Sequence, residues 1–291
     1  MLYLRKFSML SREQEEDYLS DPGNRRLRRS CYSTKYPFGL FRYRELPDLC
    51  FEPLTILYGG NGSGKSTILH VIAEKLRMQR GAVLNSSPFF GDYVSLCRYE
   101  ASRAGIPEGS RLICSDDVFD WLLDIRCLNE GIDHTRLELF DQYIRDRKES
   151  YRLQSLEDYE EFRRRSYAKS STQSRYVKEY LTENVPERSN GESALRYFTE
   201  SIRENALYLL DEPENSLSAR LQLELKQFLE DSVRFFGCQF IIATHAPFLL
   251  SMKGARIYDL DAKPPAVRQW TELENVQLYR RFFAEHEGEF S

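Results

Sequence analysis

Nine consecutive residues, Gly59-Gly60-Asn61-Gly62-Ser63-Gly64-Lys65-Ser66-Thr67, complete the pattern G-x-x-x-x-G-K-[ST]. Glycine permits the tight turns of such a loop, because no Cβ obstructs the backbone. In this pattern the backbone N–H groups surround phosphate oxygens, the lysine reaches the β- and γ-phosphates, and the hydroxyl that follows it can ligate Mg²⁺. The stretch therefore predicts a phosphate-binding loop for a nucleoside triphosphate, with Lys65 on the phosphates and Ser66 on the metal.

The segments on either side of this loop agree with that prediction. Residues 54–58, Leu-Thr-Ile-Leu-Tyr, are typical of a short buried strand. Residues 66–79 predict a helix that carries Ile68, Ile72 and Leu76 on one face. A helix that begins directly after the loop directs the positive end of its dipole at the bound phosphate.

An acidic pair ends an apolar segment in the second half of the chain. Residues 206–210 predict a buried strand, and Asp211 and Glu212 follow it directly. An acid at the end of a strand beside the phosphate loop holds Mg²⁺, which fits Asp211. Its neighbour Glu212 can polarise the attacking water as a general base. An apolar run followed by two acids is common by itself, so the assignment depends on the phosphate loop upstream.

Two further elements each have a structural as well as a functional interpretation. His245 follows the apolar segment 240–244, and it either contacts the γ-phosphate and its water or is a structural histidine. Ligands of open α/β sheets bind outside the carboxyl ends of the strands, which favours the functional role. The segment Ser189-Asn190-Gly191-Glu192-Ser193 predicts the start of a helix; it is either a capping sequence or part of a phosphate site.

The organisation of the chain predicts a single α/β domain over residues 1–291 with an inserted helical lobe. Residues 1–58 predict strands with an arginine-rich loop at Arg25, Arg26, Arg28 and Arg29, and residues 80–110 predict a loop. Residues 111–114 are a weak strand candidate. Charged helical patterns dominate residues 117–188, and the alternation of strands and helices resumes after Pro186.

Composition limits the possible functions. The net charge of −4 gives no general attraction to nucleic acid, although the runs Arg25–Arg29 and Arg163–Arg165 leave local contacts possible. A solvated helix face is the alternative for Arg163–Arg165. No apolar segment approaches the ~20 residues needed to span a bilayer, and the amino terminus lacks the pattern of a signal peptide. The six cysteines form no C-x-x-C pair, which predicts reduced thiols in a cytoplasmic protein.

The order of these motifs resembles that of the ATP-binding-cassette (ABC) class of ATPases. The phosphate loop has the form GxNGSGKST, Ser189–Glu192 resembles the signature motif, and an Asp-Glu strand end and a switch histidine follow. Within the class, the chain is most similar to stand-alone bacterial ATPases of the AAA family related to RecF, SMC and overcoming-lysogenization-defect proteins. The resemblance implies an ABC-type core, in which a mainly parallel sheet is flanked by helices and joined to an amino-terminal antiparallel β part.

The resemblance also implies a composite active site. Two subunits would enclose two ATP molecules head to tail, with Ser189 and Gly191 of one subunit facing the γ-phosphate held by the other. ATP binding would join the subunits and hydrolysis would separate them, so the enzyme would act as a switch for a separate effector. The implied residues are Glu212, His245 and Lys65 for catalysis; Gly59, Gly60, Asn61, Gly62, Ser63, Gly64, Lys65, Ser66, Thr67, Ser189, Gly191 and Glu192 for ATP; and Ser66 and Asp211 for Mg²⁺.

Departures from the transporter pattern keep other functions open. Ser218 stands where transporter subunits usually have Asp, Asn190 replaces a glycine of the signature, and Asp116 lies where a glutamine is expected. These differences disfavour a transporter subunit. A DNA repair or maintenance ATPase remains the main alternative. A nuclease domain is not expected in the 46 residues after His245 (291 − 245).

An aromatic platform for adenine is a separate expectation. Tyr36 and Phe38 are the candidates, and each is about equally consistent with a core position.

Overall fold

The computed structural model describes residues 1–24, 27, 32, 34–42, 45–81, 85–148, 159–186 and 189–290. The chain divides into two compact units, of which the first combines Met1–Val118 with Asn190–Ser291 and the second is Phe119–Ser189. We refer to them as the nucleotide unit and the helical unit. The elements in chain order are β1 (Leu4–Ser8), α1 (Arg12–Ser20), β2 (Leu49–Cys50), β3 (Leu54–Tyr58), α2 (Lys65–Leu76), α3 (Phe90–Leu96), β4 (Arg98–Ala101), β5 (Arg111–Cys114), α4 (Ser115–Lys148), α5 (Tyr159–Ser170), α6 (Gln173–Tyr180), α7 (Asn190–Ser201), β6 (Leu207–Asp211), α8 (Ala219–Phe235), β7 (Gln239–Ala243), α9 (Pro247–Leu250), β8 (Arg256–Asp259), β9 (Ala266–Arg268) and α10 (Glu274–Glu285).

The main sheet of the nucleotide unit has six strands in the order β5-β6-β7-β3-β8-β9. All neighbouring strands are parallel except β9, which is antiparallel to β8. Strands β3 and β7 are buried along their whole length, as expected for parallel strands covered on both faces. The predicted α/β fold with a mainly parallel sheet flanked by helices is confirmed. The carboxyl ends of β3, β6 and β7 meet at one edge of this sheet.

A second sheet confirms the antiparallel part expected near the amino terminus. Strands β2, β1 and β4 form it in that order, and both pairings are antiparallel. The buried Gln239 at the start of β7 joins the two sheets, because its Oε1 accepts hydrogen bonds from Tyr3 N (2.7 Å) and Leu4 N (2.9 Å). Its Nε2 donates to Leu4 O at 2.8 Å.

Two parts of the sequence prediction for this unit are wrong. Residues 1–58 contain the helix α1, which begins with a capping box between Ser11 and Gln14. Residues 80–110, predicted as a loop, contain α3 and β4; helix α3 buries Phe90, Tyr93 and Val94. Both elements are too short for a clear periodic pattern, and burial stabilises them instead. The predicted loop arginines 25, 26, 28 and 29 lie outside the described residues.

The helical unit contains most of α4 together with α5 and α6. A small core of buried residues, Tyr143, Ala168, Tyr176 and Val177, holds these helices together. The buried Asp146 lies beside it. Its Oδ2 is 2.9 Å from Arg164 Nε, its Oδ1 is 3.6 Å from Arg165 Nε, and its Oδ2 also accepts a hydrogen bond from Tyr176 Oη at 3.1 Å. Arg164 and Arg165 are therefore not part of a simple solvated helix face, because both contribute to a buried ion-pair network.

Among the described residues, no helix is both long enough and apolar enough to cross a membrane.

Candidate active site

The glycine-rich loop connects the central strand β3 to the first residue of α2. Gly64 caps α2 with φ at +95°, in the left-handed region that glycine adopts without strain. A Cβ on Gly64 would lie 2.7 Å from a ring carbon of Phe41, and a Cβ on Gly59 would lie 2.6 Å from Ser63 Oγ. The loop is thus packed so closely that these two positions require glycine.

Lys65 is the first residue of α2, and its side chain is buried against the loop. Its Nζ donates to Gly59 O at 2.6 Å and to Gly60 O at 3.1 Å. Glu212 Oε1 lies 3.9 Å from the same nitrogen. The ammonium group therefore lies between the loop and the end of β6, where it can contact the phosphates of a nucleotide.

Ser66 and Asp211 come together, as the sequence predicted for a metal site. Ser66 Oγ donates to Asp211 Oδ1 at 3.0 Å. Burial raises the pKa of Asp211 to about 6, although the hydrogen bond from Ser66 and the charge of Lys65 oppose this shift. The neighbouring carboxylates of Glu212 and Glu214 raise the pKa further. Since a bound cation would favour the ionised form, this carboxylate is suited to hold one.

Glu212 turns away from the strand directly after Asp211. Its φ is +47°, and its backbone N–H donates to Ala243 O at 2.9 Å, which fixes the turn against β7. Asn215 Nδ2 donates to Glu212 Oε2 at 3.3 Å. His245 Nδ1 lies 3.8 Å from Glu212 Oε1. The predicted general base and the predicted switch histidine are therefore neighbours.

Glu214 is an acidic residue to which the sequence analysis gave no role. Its Oε1 accepts hydrogen bonds from Thr244 Oγ1 (2.6 Å) and from the backbone N–H of His245 (3.2 Å). The carboxyl group is buried, which raises its pKa. Asn275 Nδ2 donates to His245 O at 2.8 Å. Glu214 and Asn275 position His245, whose own side chain is half exposed. The motif Asp-Glu-Pro-Glu contained Glu214, but its partner lies 30 residues away in the sequence.

Asp261 is a second residue that sequence reasoning missed. It follows β8, and its Oδ2 accepts a hydrogen bond from the backbone N–H of Gly60 at 2.6 Å. The two residues are 201 positions apart in the sequence, so no local signal pointed to this contact. The bond holds the start of the phosphate loop to the end of the neighbouring strand.

The signature-like residues lie at the start of α7. Ser189 and Glu192 are exposed, whereas Gly191 is buried. A Cβ on Gly191 would lie 2.9 Å from Ser216 O and 2.8 Å from Leu221 Cδ1, so this position also requires glycine. The structure places Gly191 against the segment between β6 and α8. Binding of a second subunit's phosphate by this motif stays a prediction.

The two candidate adenine contacts differ in their surroundings. Phe38 is a core residue, since it is buried and stacks on Tyr18 with a ring separation of 4.6 Å. Tyr36 is only partly buried, and its hydroxyl donates to Thr67 Oγ1 at 2.9 Å, next to the phosphate loop. Tyr36 is thus the better candidate for contact with a nucleotide.

Behind Asp211, helix α2 and strand β5 contribute two further potential ligands. His70 Nε2 lies 3.8 Å from Asp211 Oδ2. Burial lowers the pKa of His70 to about 4, with a smaller contribution from Arg80, and the charge of Asp116 opposes it. Burial raises the pKa of the Cys114 thiol to about 12. Asp116, whose role the sequence left open, therefore acts on this cluster through its charge.

The residues of the loop edge fit ATP and Mg²⁺. The close-packed glycines Gly59 and Gly64 leave the loop backbone accessible to phosphate, and Lys65 supplies a positive charge. Ser66 and Asp211 offer the oxygen ligands that Mg²⁺ prefers. Burial disfavours the ionised form of Asp211 and raises its pKa, and a divalent cation bound there would offset this cost.

A comparison with protein families agrees with this geometry. Residues 52–215, more than half of the chain, match the sequence profile of the family described as ABC transporter. The solved structures include a similar one, assigned to the metal-chelate type of ABC transporter and captured in an inward-facing conformation. It has 16% sequence identity and a TM-score of 0.38, and the match covers 78% of this chain and 76% of that chain. A comparison with curated proteins finds no match.

Proposed function

The chain belongs to the ABC transporter family and is an ATPase, and from this premise we propose a Mg²⁺-dependent switch that dimerises around two ATP molecules to control a partner. The observation that carries the proposal is the convergence of Lys65, Asp211, Glu212 and His245 on one edge of the sheet. These residues come from three separate parts of the chain, because Asp211 and Glu212 are adjacent. Their convergence at the phosphate loop supports a hydrolytic site.

Each residue has a distinct part in the proposed reaction. Lys65 binds and orients the phosphates, while Ser66 and Asp211 would hold Mg²⁺, which supplies charge neutralisation on the β- and γ-phosphates when it is bound. Glu212 takes a proton from the attacking water. The water oxygen then bonds to the γ-phosphorus as the bond to the bridging oxygen breaks, and ADP and phosphate are released.

His245 and its neighbours complete the proposed mechanism. The imidazole lies 3.8 Å from Glu212 Oε1, where it can orient the same water and contact the γ-phosphate. Glu214 and Asn275 hold the histidine backbone from two sides. We assign both as positioning residues.

The proposed dimerisation rests on the signature-like segment. Ser189 and Glu192 are exposed at the start of α7, and the amino-terminal end of a helix favours a bound anion. If a second subunit supplies that anion as the γ-phosphate of its ATP, the nucleotide joins the two chains. Hydrolysis then removes the bridge and separates them.

We place the proposed partner surface on the helical unit. Several apolar side chains of α4 are exposed, namely Phe119, Leu123, Leu128, Leu137 and Ile144. Phe119 and Leu123 are one helical turn apart, and adjacent exposed apolar side chains mark surfaces that bind another protein. The resemblance to stand-alone RecF, SMC and overcoming-lysogenization-defect relatives supports a protein effector for this surface.

The decisive experiment uses the Glu212→Gln variant, which should bind ATP but hydrolyse it about 10²- to 10⁴-fold more slowly. We expect its molecular mass in solution to double on addition of Mg·ATP. The matched control is the double variant Lys65→Ala/Glu212→Gln, which should stay at the monomer mass. A second variant, Ser189→Arg, should bind ATP as a monomer and prevent the doubling.

A mass that ATP does not change, while ATP remains bound, would contradict the dimer and leave ATP binding intact. Doubling that persists in the Ser189→Arg background would place the interface elsewhere.

The family match favours one second candidate, a nucleotide-binding subunit of a membrane transporter. Co-purification of the chain with a membrane protein, with ATPase activity dependent on that protein, would support it. The DNA alternative has less support, because Arg164 and Arg165 pair with Asp146. A salt-dependent shift of duplex DNA by the Glu212→Gln variant with ATP would revive it.

A further inference from the structure

Three potential metal ligands meet at the back of the nucleotide site. Cys114 and Asp211 end the neighbouring strands β5 and β6 and are paired in register. His70 lies one turn and a half into α2. Ligand atoms of these three residues all lie within 4.8 Å of one another, and Nε2 of His70 is 3.8 Å from Oδ2 of Asp211. All three side chains are largely shielded from solvent.

This donor set differs from the set that binds Mg²⁺. Magnesium prefers oxygen ligands, whereas imidazole nitrogen and thiolate sulfur select Zn²⁺ and related transition metals. Zinc bonds of about 2.0–2.1 Å to nitrogen and about 2.3 Å to sulfur place tetrahedral ligand atoms roughly 3.3–3.7 Å apart. The His70–Asp211 separation of 3.8 Å is already close to this range. A side-chain shift of about 1 Å would bring the other ligand–ligand distances, which are at most 4.8 Å, into it.

The surroundings also favour a cation. Asp117 Oδ2 accepts a hydrogen bond from the backbone N–H of Cys114 at 2.7 Å, which holds a second carboxylate beside the thiol. The charge of Asp116 acts on both His70 and Cys114. Arg80 is the opposing charge near His70. With Asp211 itself, three carboxylates thus lie in or beside the cluster, against the two positive charges of Arg80 and Lys65.

We propose that His70, Cys114 and Asp211 form a site for a Zn²⁺-class cation, and that its occupation inhibits ATP hydrolysis. Binding forms bonds from the metal to Nε2, Sγ and a carboxylate oxygen, the thiol proton leaves to solvent, and water fills the fourth position. Asp211 is shared between this site and the Ser66 side of the nucleotide pocket. The inhibition rests on the proposed role of Asp211 in hydrolysis, whereas the metal site itself does not.

The test of the site is spectroscopic and needs no ATP. Co²⁺ replaces Zn²⁺ as the probe, and the wild-type full-length chain is titrated until binding saturates. We expect one ion per chain with the near-ultraviolet charge-transfer band of a cobalt–thiolate bond and the visible bands of a tetrahedral site. Competition with a chromophoric chelator then measures the Zn²⁺ affinity.

Matched variants separate this site from other thiols. Cys114→Ser should lose the cobalt–thiolate band, and His70→Ala should weaken binding at least about tenfold, as loss of a direct ligand requires. Cys127→Ser, at an exposed cysteine of the helical unit, should keep the wild-type spectrum. Absence of the cobalt–thiolate band in folded wild type, or its persistence in Cys114→Ser, would overturn the proposed site. If Cys114→Ser does not fold, the cobalt affinity of His70→Ala is the test, and an affinity equal to that of wild type would overturn the site.

Hydrolysis assays test the regulatory half. With excess Mg·ATP, Zn²⁺ should inhibit the wild type and Cys127→Ser, while Cys114→Ser keeps its basal activity and resists inhibition at least about tenfold better. Equal inhibition of all three would assign the effect to zinc bound elsewhere and overturn the regulation. A wild type with the cobalt band but without ATPase activity would instead contradict the proposed function.

Discussion

The two units differ in the charges that surround a buried carboxylate. In the helical unit, the buried Asp146 has Arg164 and Arg165 as neighbours and accepts a hydrogen bond from Tyr176. In the nucleotide unit, burial raises the pKa of both Asp211 and Glu214. The helical unit thus supplies its own counterions. In the nucleotide unit, burial disfavours the ionised form of these two acids.

This difference suggests that the carboxylate of the helical unit contributes to stability, whereas the carboxylates of the nucleotide unit contribute to ligand binding. A carboxylate with its cations in place stabilises the packing of helices that have only a small apolar core. Carboxylates whose charge is unfavourable gain from a ligand that brings positive charge, as Mg²⁺ does. Buried carboxylates with shifted pKa values are common at functional sites. Substitutions in the two units should therefore separate activity from stability.

The largest expected effect is the loss of activity in Lys65→Ala. Removing the ammonium group that we propose to bind the phosphates should lower kcat/KM for ATP by about 10³-fold. The variant should stay folded but lose about 1–3 kcal/mol of unfolding free energy, because Gly59 O and Gly60 O lose a buried donor. Steady-state hydrolysis and urea unfolding measure the two quantities. Lys75→Ala, at the end of the same helix, is the matched control, and activity within tenfold of wild type for Lys65→Ala would refute the assignment.

The next effect is the reverse, a loss of stability without loss of activity. Asp146→Asn leaves two arginines beside a neutral group, which should destabilise the helical unit by about 2–3 kcal/mol. Hydrogen exchange in α4, α5 and α6 should become faster, while basal ATP hydrolysis stays at the wild-type rate. Asp141→Asn, at an exposed site on the same helix, is the control. If Asp146→Asn abolished hydrolysis instead, Asp146 would be needed for activity as well as for the stability of the helical unit.

The smallest effect concerns Glu15, a buried carboxylate of the nucleotide unit away from the phosphate loop. Burial raises its pKa above the usual 4.5, although Gly39 N donates to its Oε2 at 2.8 Å. The folded state then binds more protons than the unfolded state, so this group's stabilisation is complete below pH 4.5 and is lost as pH rises through the folded pKa. Glu15→Gln removes that dependence.

Urea unfolding across this pH range tests the expectation for Glu15. The stability of Glu15→Gln relative to wild type should rise with pH. Glu13→Gln, at an exposed position of the same helix, serves as the control and should show no such trend. A constant difference between Glu15→Gln and wild type would mean that Glu15 ionises normally.

Much of the fold could be predicted from local patterns. The loop at residues 59–67, the strands β3, β5, β6 and β7 and the helix after the loop all follow from apolar runs and glycine placement. Helix α1 was missed because it is short and mostly polar, so a capping box and tertiary contacts decide its conformation. Helix α3 was missed for a similar reason, since its apolar residues form one short cluster.

The residues of the candidate site also fall into two groups, those that a local motif indicates and those that only long-range contacts bring to the site. Residue type and spacing predicted roles for Lys65, Ser66, Asp211, Glu212 and His245, because each belongs to a compact motif, and the fold brings these residues together. Glu214, Asp261 and Asn275 could not be assigned, since each acts through a hydrogen bond to a residue 30 or more positions away. No local pattern encodes such contacts.

The sequence by itself determined that this chain has a nucleotide-binding loop, where the loop lies, and which acids follow a later apolar segment. It could do so because glycine conformation and strand periodicity are local properties. Only the tertiary structure decided which groups surround those acids. The strand order places Cys114 beside Asp211, and the packing of α2 adds His70. Burial and charge depend on every neighbour in space, so the electrostatic character of the site exists only in the folded chain.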